Sequence, residues 1–567
     1  MSNPQELSLR QCIALKLMPD IRFFDRGDGL EPVLELSPEL ASGLRKLNPG
    51  GVILFRENLS SVAQIRALTE QIRSCLSPRA LIGIDQEGGR VTRLPRGECT
   101  SFSGNMALAA CADAELLAQQ VGAAQARELS ALGINVNFVP SLDVNSNPDN
   151  PVIGVRAFGD DPDRVASLGA ALLAGLQGGG VAGAVKHFPG HGDTCQDSHT
   201  DLPRVTRSLS QAQAIDLAPF AQVIRSAAPA MVMTAHIQYP ALDSSTLPGT
   251  DIVVPATLSR AMMTGLLREQ MGYQGVVITD ALDMRAISDR FSPAEAVMAC
   301  FQAGVDIALM PLLLRSPADF EQYEQIIAAV EAAVTSGELD EAELRASAHR
   351  VLVLQRQFAD PGEALDTETV GSESHQRLEQ AVAQASLTLV AGELPALPAP
   401  ANVHLLMPGP GSASALAAAL IAVAPSLQVS WQSLEQFDPV REQDSARQAD
   451  LYLVGVSEPA SSAVVMGGAE DLASLPDRSP AGVQRAMLAA TEGTPRVVLM
   501  LNSPYSAMEF KDLAEAVLAS YDGASEGIDG EPGPAYRAIA RALLGDGSPE
   551  GRLPVNLPDV TDRLSRA

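Results

Sequence analysis

Short apolar runs rich in β-branched residues recur through the first half of the chain and stop abruptly at charged, Gly or Pro positions. They fall at 13–24, 51–55, 81–85, 134–139, 182–187, 230–236, 275–280 and 305–310. Apolar residues at helical spacing fill most of the gaps, at 114–132, 162–177, 209–227 and 293–303. Near-continuous apolar strands alternating with helices predict a parallel sheet covered on both faces. Eight such units at this spacing fit an α/β fold of the (β/α)8 TIM-type barrel kind better than an open sheet, with an irregular or incomplete barrel as the alternative.

Two further helical patterns, 320–335 and 340–357, close this first unit. The stretch 358–373 is acidic and turn-rich, and 394–401 carries Pro395, Pro398 and Pro400. Beyond them a second strand–helix alternation begins, with strands expected at 386–390, 403–407, 428–431, 451–456, 496–501 and 516–520 and helices at 413–424 and 480–492. The expected organisation is a barrel over 1–360, a linker over 361–385 and a smaller α/β sandwich domain over 386–567. No internal repeat interrupts it.

Composition narrows the function classes. At 567 residues, 46% hydrophobic and 19% charged, the chain has the make-up of a globular protein with more than one core. Its formal charge of −28 repels polyphosphates, which argues against a nucleic-acid partner. Residues 1–10 are polar and lack the basic start and apolar stretch of a secretory leader, and the run 13–18 is too short to span a bilayer. The six cysteines form no C-x-x-C pair and read as scattered thiols in a reducing compartment. A cytoplasmic protein without a membrane partner, monomeric or homodimeric, is the expectation.

Reactive side chains of a parallel barrel collect where its strands end. Asp85 ends one expected strand, Lys186 and His187 another, His236 a third and Asp280 a fourth. One such residue can simply cap the next helix, but several converging on one face define a site. The most polar loop runs Lys186-His187-Phe188-Pro189-Gly190-His191-Gly192-Asp193-Thr194-Cys195-Gln196-Asp197-Ser198-His199 and holds three of the chain's seven histidines. Asp197 lies two residues from His199, close enough to fix the imidazole's tautomer and raise its basicity, which suits proton transfer near neutral pH. His191, Asp193, Asp197 and His199 are also metal-ligand types, but their spacing matches no standard closed site, so no metal and no cofactor is expected. In Gly275-Val276-Val277-Ile278-Thr279-Asp280-Ala281-Leu282-Asp283-Met284 an apolar strand delivers Asp280 to the mouth, where a carboxylate suits attack on an anomeric carbon. Asp283 is expected to face away or to cap the following helix.

At these residues the sequence resembles glycoside hydrolase family 3, in particular its bacterial β-N-acetylglucosaminidases. The resembling segments are 50–58, Ile82-Gly83-Ile84-Asp85-Gln86-Glu87-Gly88-Gly89-Arg90-Val91, 135–143, Arg156-Ala157-Phe158-Gly159, 186–199, 276–284 and 304–311. A weaker likeness, Gly551-Arg552-Leu553-Pro554-Val555, stands near the end of the second domain. The resemblance implies that Asp280 is the nucleophile and His199 the acid/base, with Asp197 as its partner. It implies that Asp85, Arg156, Lys186 and His187 hold the hydroxyls of the non-reducing sugar, and that His236 and Met284 line the same pocket.

The reaction so implied is retaining, exo-acting removal of terminal β-linked N-acetylglucosamine from muropeptide or chitin-derived oligosaccharides, through a covalent intermediate on Asp280. An imidazole acid/base adds no anion beside the incoming acceptor, so a β-N-acetylglucosaminide phosphorylase is the alternative. A β-glucosidase and a non-catalytic sugar-binding module are weaker ones. The second domain, needing to supply no acid/base, is expected to be scaffold, cleft wall or dimer surface.

Overall fold

Burial on both faces is what the apolar runs require, and in the computed structural model they satisfy it by pairing in parallel. The structure describes residues 7–27, 29–195, 202–359, 366–398, 400–457 and 481–557. Eight short parallel strands build the curled sheet of the first half: β1 (Leu17–Met18), β2 (Gly51–Leu54), β3 (Leu81–Ile84), β4 (Val136–Asn137), β5 (Ala182–Phe188), β6 (Met231–Thr234), β7 (Val276–Ile278) and β8 (Ala308–Leu309). β2 to β7 form a six-stranded parallel sheet in chain order, with Gly51 opposite Leu81 and Met231 opposite Val276. β1 and β8 form a separate parallel pair, Leu17 opposite Ala308. Parallel bridges Asp20–Ile53 and Ile278–Ile307 bring that pair against both edges of the sheet, which therefore curls.

The run 13–24 is not one strand. Residues Leu9–Leu15 are helical, because Ser8 and Gln11 satisfy each other's exposed backbone groups as a capping box; strand follows at Leu17–Met18 and again at Phe23–Asp25, the latter in an antiparallel hairpin with Leu30–Pro32. The helix expected over 209–227 runs without a break, widened to a π-helical segment at Ala212–Asp216 before Leu217–Ala227. Helices Ala114–Ala131 and Pro162–Gly178 pack closely because two glycines let their backbones meet. A Cβ on Gly122 would lie 2.1 Å from the Leu172 carbonyl oxygen, and one on Gly175 2.0 Å from that of Gln119.

The second sheet contains β9 (Thr388–Gly392), β10 (Asn402–Met407), β11 (Gln428–Ser433), β12 (Leu451–Val456), β13 (Arg496–Met500) and β14 (Ala516–Ala519), in the order β9-β14-β13-β12-β10-β11. Only the β9–β14 pairing is antiparallel. Alternation sends Leu405, Leu453 and Val497 to one face, against helices Pro410–Val423 and Pro534–Leu543. Leu406, Tyr452 and Val454 go to the other, where they share a core with Met106, Ala107, Ala110 and Val155 of the first half.

The stretch expected as linker holds a helix, Glu373–Ser386. Its Val382 is buried in the first half's core, and His375 Nδ1 lies 2.8 Å from the buried carboxylate of Glu128. All six cysteines are free, and Cys195 is the exposed one. Among the described residues no helix is long and apolar enough to cross a membrane.

Candidate active site

One cavity of about 350 Å³ opens past the C-terminal ends of the first-half strands. Asp85 follows β3 by one residue, Lys186 and His187 belong to β5, and Asp280 stands two residues beyond β7. All four line the cavity, together with Arg156 and Met284. These six of the nine sequence-derived site residues are thus brought together. His236 lies behind the wall rather than on it: Thr257 Oγ1 is 2.8 Å from Nδ1, and Nε2 is 3.0 Å from the Ala281 carbonyl oxygen, next to Asp280. Asp197 and His199 lie outside the described residues. Asp283, expected to face away, instead lines the cavity.

The floor is a chain of buried ion pairs. Arg156 grips Glu87 with two parallel bonds, Nε to Oε2 at 2.9 Å and Nη2 to Oε1 at 2.7 Å. Lys186 Nζ lies 2.6 Å from Glu87 Oε1 and 2.8 Å from Asp85 Oδ1. Arg156, Glu87 and Lys186 are nearly inaccessible, while the Asp85 side chain keeps 19% of its exposure and can offer its carboxylate to a ligand. Burial by itself would raise the Glu87 carboxyl, but the Arg156 guanidinium and the Lys186 ammonium outweigh it and hold Glu87 far below the usual carboxylate range. Burial likewise works against the Lys186 ammonium, and Asp85 and Glu87 reverse the effect, so its pKa is raised. All three groups are charged at neutral pH.

Asp143 organises the next turn. Its fully buried carboxylate meets His187 Nδ1 at 2.7 Å and accepts the His191 backbone N–H at 2.7 Å and the Ser141 hydroxyl at 2.9 Å. Burial opposes this charge too, but His187 and His191 lower the Asp143 pKa well below normal. With the proton on Nδ1, His187 turns Nε2 toward Arg156 Nη2, 3.4 Å away. Farther along the loop Asp193 is held by Arg207 at 2.9 Å, and Arg207 also approaches Asp216 at 3.5 Å. Asp216, turned inward by the π-helical segment, receives the Tyr239 hydroxyl at 2.6 Å, and burial pushes its pKa up to about 6.

Among the charged residues of the site not singled out from the sequence are Glu87, Asp143, Arg22 and Arg93. Glu87 and Asp143 stand inside segments that carried the resemblance, but nothing in a single sequence separates a buried counter-ion from a loop acid. Arg22 and Arg93 line the cavity over the Phe55 ring, with guanidinium carbons 3.8 and 5.8 Å from its centroid.

Charged side chains converging past the ends of parallel strands, around a cavity of small-ligand size, define an enzyme site for a polar, hydroxyl-rich molecule. Residues 18–354 match the glycosyl hydrolase family 3 N terminal domain, and residues 314–567 match the family's C-terminal domain. The chain is 41% identical to beta-hexosaminidase A of Pseudoalteromonas piscicida over 97% of both proteins. A beta-hexosaminidase of Neisseria meningitidis is 40% identical over 47% of this chain and 73% of its own length. The solved family 3 beta-N-acetylglucosaminidase of a Paenibacillus species superposes with a TM-score of 0.80 at 31% identity, covering 97% of this chain and 99% of that one. The chain belongs to glycosyl hydrolase family 3 and is a glycoside hydrolase with that family's two-domain α/β arrangement.

Proposed function

We propose that this enzyme is a retaining, exo-acting β-N-acetylhexosaminidase that releases terminal non-reducing β-linked N-acetylglucosamine. The observation that carries the reading is the Asp85–Lys186–Glu87–Arg156 network facing the same cavity as Asp280. Fixed alternating donors and acceptors suit the hydroxyls of one sugar ring, and a carboxylate beside them suits the anomeric carbon. The names of its hexosaminidase and N-acetylglucosaminidase relatives support the acetamido sugar.

In this reading Asp280 attacks the anomeric carbon as the glycosidic C–O bond breaks, and His199 gives its proton to the departing oxygen. His199 then takes a proton from water, which displaces Asp280 and restores it with the configuration retained. Asp197 orients the imidazole. Asp85, Arg156, Lys186 and His187 bind the sugar, Met284 forms an apolar part of the wall, and His236 supports Asp280 from behind. The strands β1 to β8 act as one closed barrel, and the helix Glu373–Ser386 joins it to the second domain. The enzyme's substrates are muropeptide or chitin-derived oligosaccharides, and it acts in the cytoplasm as a monomer or homodimer.

Hydrolysis of 4-nitrophenyl N-acetyl-β-glucosaminide but not of the matching glucoside, with the β-anomer appearing first by NMR, is the expected result. An inverted product or a preference for the glucoside overturns the reading. Added phosphate should leave the product unchanged, whereas N-acetylglucosamine 1-phosphate would identify a phosphorylase. His199→Ala should lower kcat/KM on chitobiose by about 10²–10⁴-fold and on the aryl glycoside far less, because nitrophenolate leaves without a proton. Equal losses on the two substrates would remove His199 as the acid.

A further inference from the structure

We propose that the second domain is a positioning element of the sugar site: Tyr505 and the strap 551–556 hold the loop that sets Arg156. This rests on the reading of Arg156 as a sugar-binding residue.

The loop between β4 and the helix Pro162–Gly178 bends back on itself through Asn145. Its backbone N–H reaches the Gly159 carbonyl at 2.9 Å, and its side-chain oxygen accepts from the Gly154 N–H at 3.0 Å. Its side-chain amide nitrogen donates to the Tyr505 hydroxyl at 2.6 Å. Tyr505 lies between β13 and β14 in the second domain, 6% exposed. One second-domain phenol thus completes the residue that closes the loop around Arg156.

Two further groups of contacts fix the same loop and the helix beside it. Val155, next to Arg156, is buried in the second domain's core beside Met106, Ala107 and Ala110, and the Asn105 amide donates to the Arg156 carbonyl at 2.7 Å. The strap made by the Gly551-Arg552-Leu553-Pro554-Val555 run lies across the loop's far side. Arg552 N–H bonds to the Ala110 carbonyl at 2.9 Å, and Asn556 donates to Asp160 Oδ2 from its backbone at 2.7 Å and its side chain at 2.9 Å. At Gly159 the approach is so close that a Cβ would stand 2.3 Å from the Pro554 carbonyl oxygen. This motif, with no catalytic group to offer, has a use as a clamp. Because Arg156 holds Glu87 and Glu87 holds Lys186, a loose loop would loosen the whole floor.

The test compares KM and kcat for 4-nitrophenyl N-acetyl-β-glucosaminide, and Kd for N-acetylglucosamine, in the full chain. Tyr505→Phe should raise KM and Kd about tenfold, since small misplacements of a positioning group are costly in rate and binding. The exposed Asn556→Ala should act in the same direction with the fold untouched. Tyr521→Phe is the control: it loses a comparable buried bond, to Thr388 Oγ1 at 2.9 Å, but one that does not touch the loop, and should leave KM unchanged. Arg156→Lys should raise KM strongly, and adding Tyr505→Phe to it should change little more, since both act through one group. Additive effects, equal KM changes in Tyr505→Phe and Tyr521→Phe, or an unchanged KM in Tyr505→Phe overturn the inference while leaving the site reading intact. An unchanged KM in Arg156→Lys removes the site reading itself, and the inference with it.

Discussion

Replacing Asp280 with Asn should lower kcat by roughly 10⁴-fold or more, with KM for the aryl glycoside changed little. The amide keeps the shape and the bond that the Ala281 N–H makes to Oδ1 at 2.8 Å, but supplies no negative charge to an oxocarbenium-like centre. The floor of the site is built from other groups, so ground-state binding survives the change. The check is steady-state kinetics on both proteins, joined to peptide mapping of the parent enzyme after a slow fluorinated substrate. Label on a peptide without Asp280, or turnover within a factor of ten of the parent, would falsify the assignment of the nucleophile.

The largest stability effect is expected at Glu87. Glu87→Ala removes the shared counter-ion of Arg156 and Lys186 and leaves buried positive charge unmatched, a loss of about 3–5 kcal/mol by the usual cost of breaking a buried pair. Sugar binding should fall in parallel. Glu87 is also a source of acid sensitivity. Its folded pKa is depressed, so its stabilisation is present above the unfolded carboxylate value of about 4.3 and is lost as pH falls from there toward the folded value. Urea titrations between about pH 3 and 7 should therefore show a shallower acid slope in Glu87→Ala than in the parent. Parallel slopes would assign the acid loss to other carboxylates, of which Asp143 is the next, depressed in the same sense.

Strand positions in the first half were legible because their apolar runs end at charged residues, and β5 with Lys186 and His187 shows how chemistry follows from that. Lengths were less legible. Apolar periodicity marks what is buried, not what is paired, so 134–139 contains only a two-residue ladder, Val136–Asn137. The helix at Leu9–Leu15 carried its signal openly in the Ser8–Gln11 spacing, but the apolar stretch after it masked the signal. In the site, residues at strand ends could be read, and Asp280 and Lys186 are examples. Glu87 and Asp143 could not, because their roles depend on partners 69 and 44 positions away that only folding brings near. His236 was expected on the pocket wall from the resemblance; it does stand at a strand end, but its ring nitrogens face Thr257 Oγ1 and the Ala281 carbonyl instead.

The core shared by Met106, Ala107, Ala110 and Val155 with Tyr452, Val454 and Tyr505 ties the unfolding of one half to that of the other. Melting one half would strip apolar packing from the other, so calorimetry should record a single heat-absorption peak rather than two. A dissected first half ending near residue 360 would expose that patch to water and tend to aggregate.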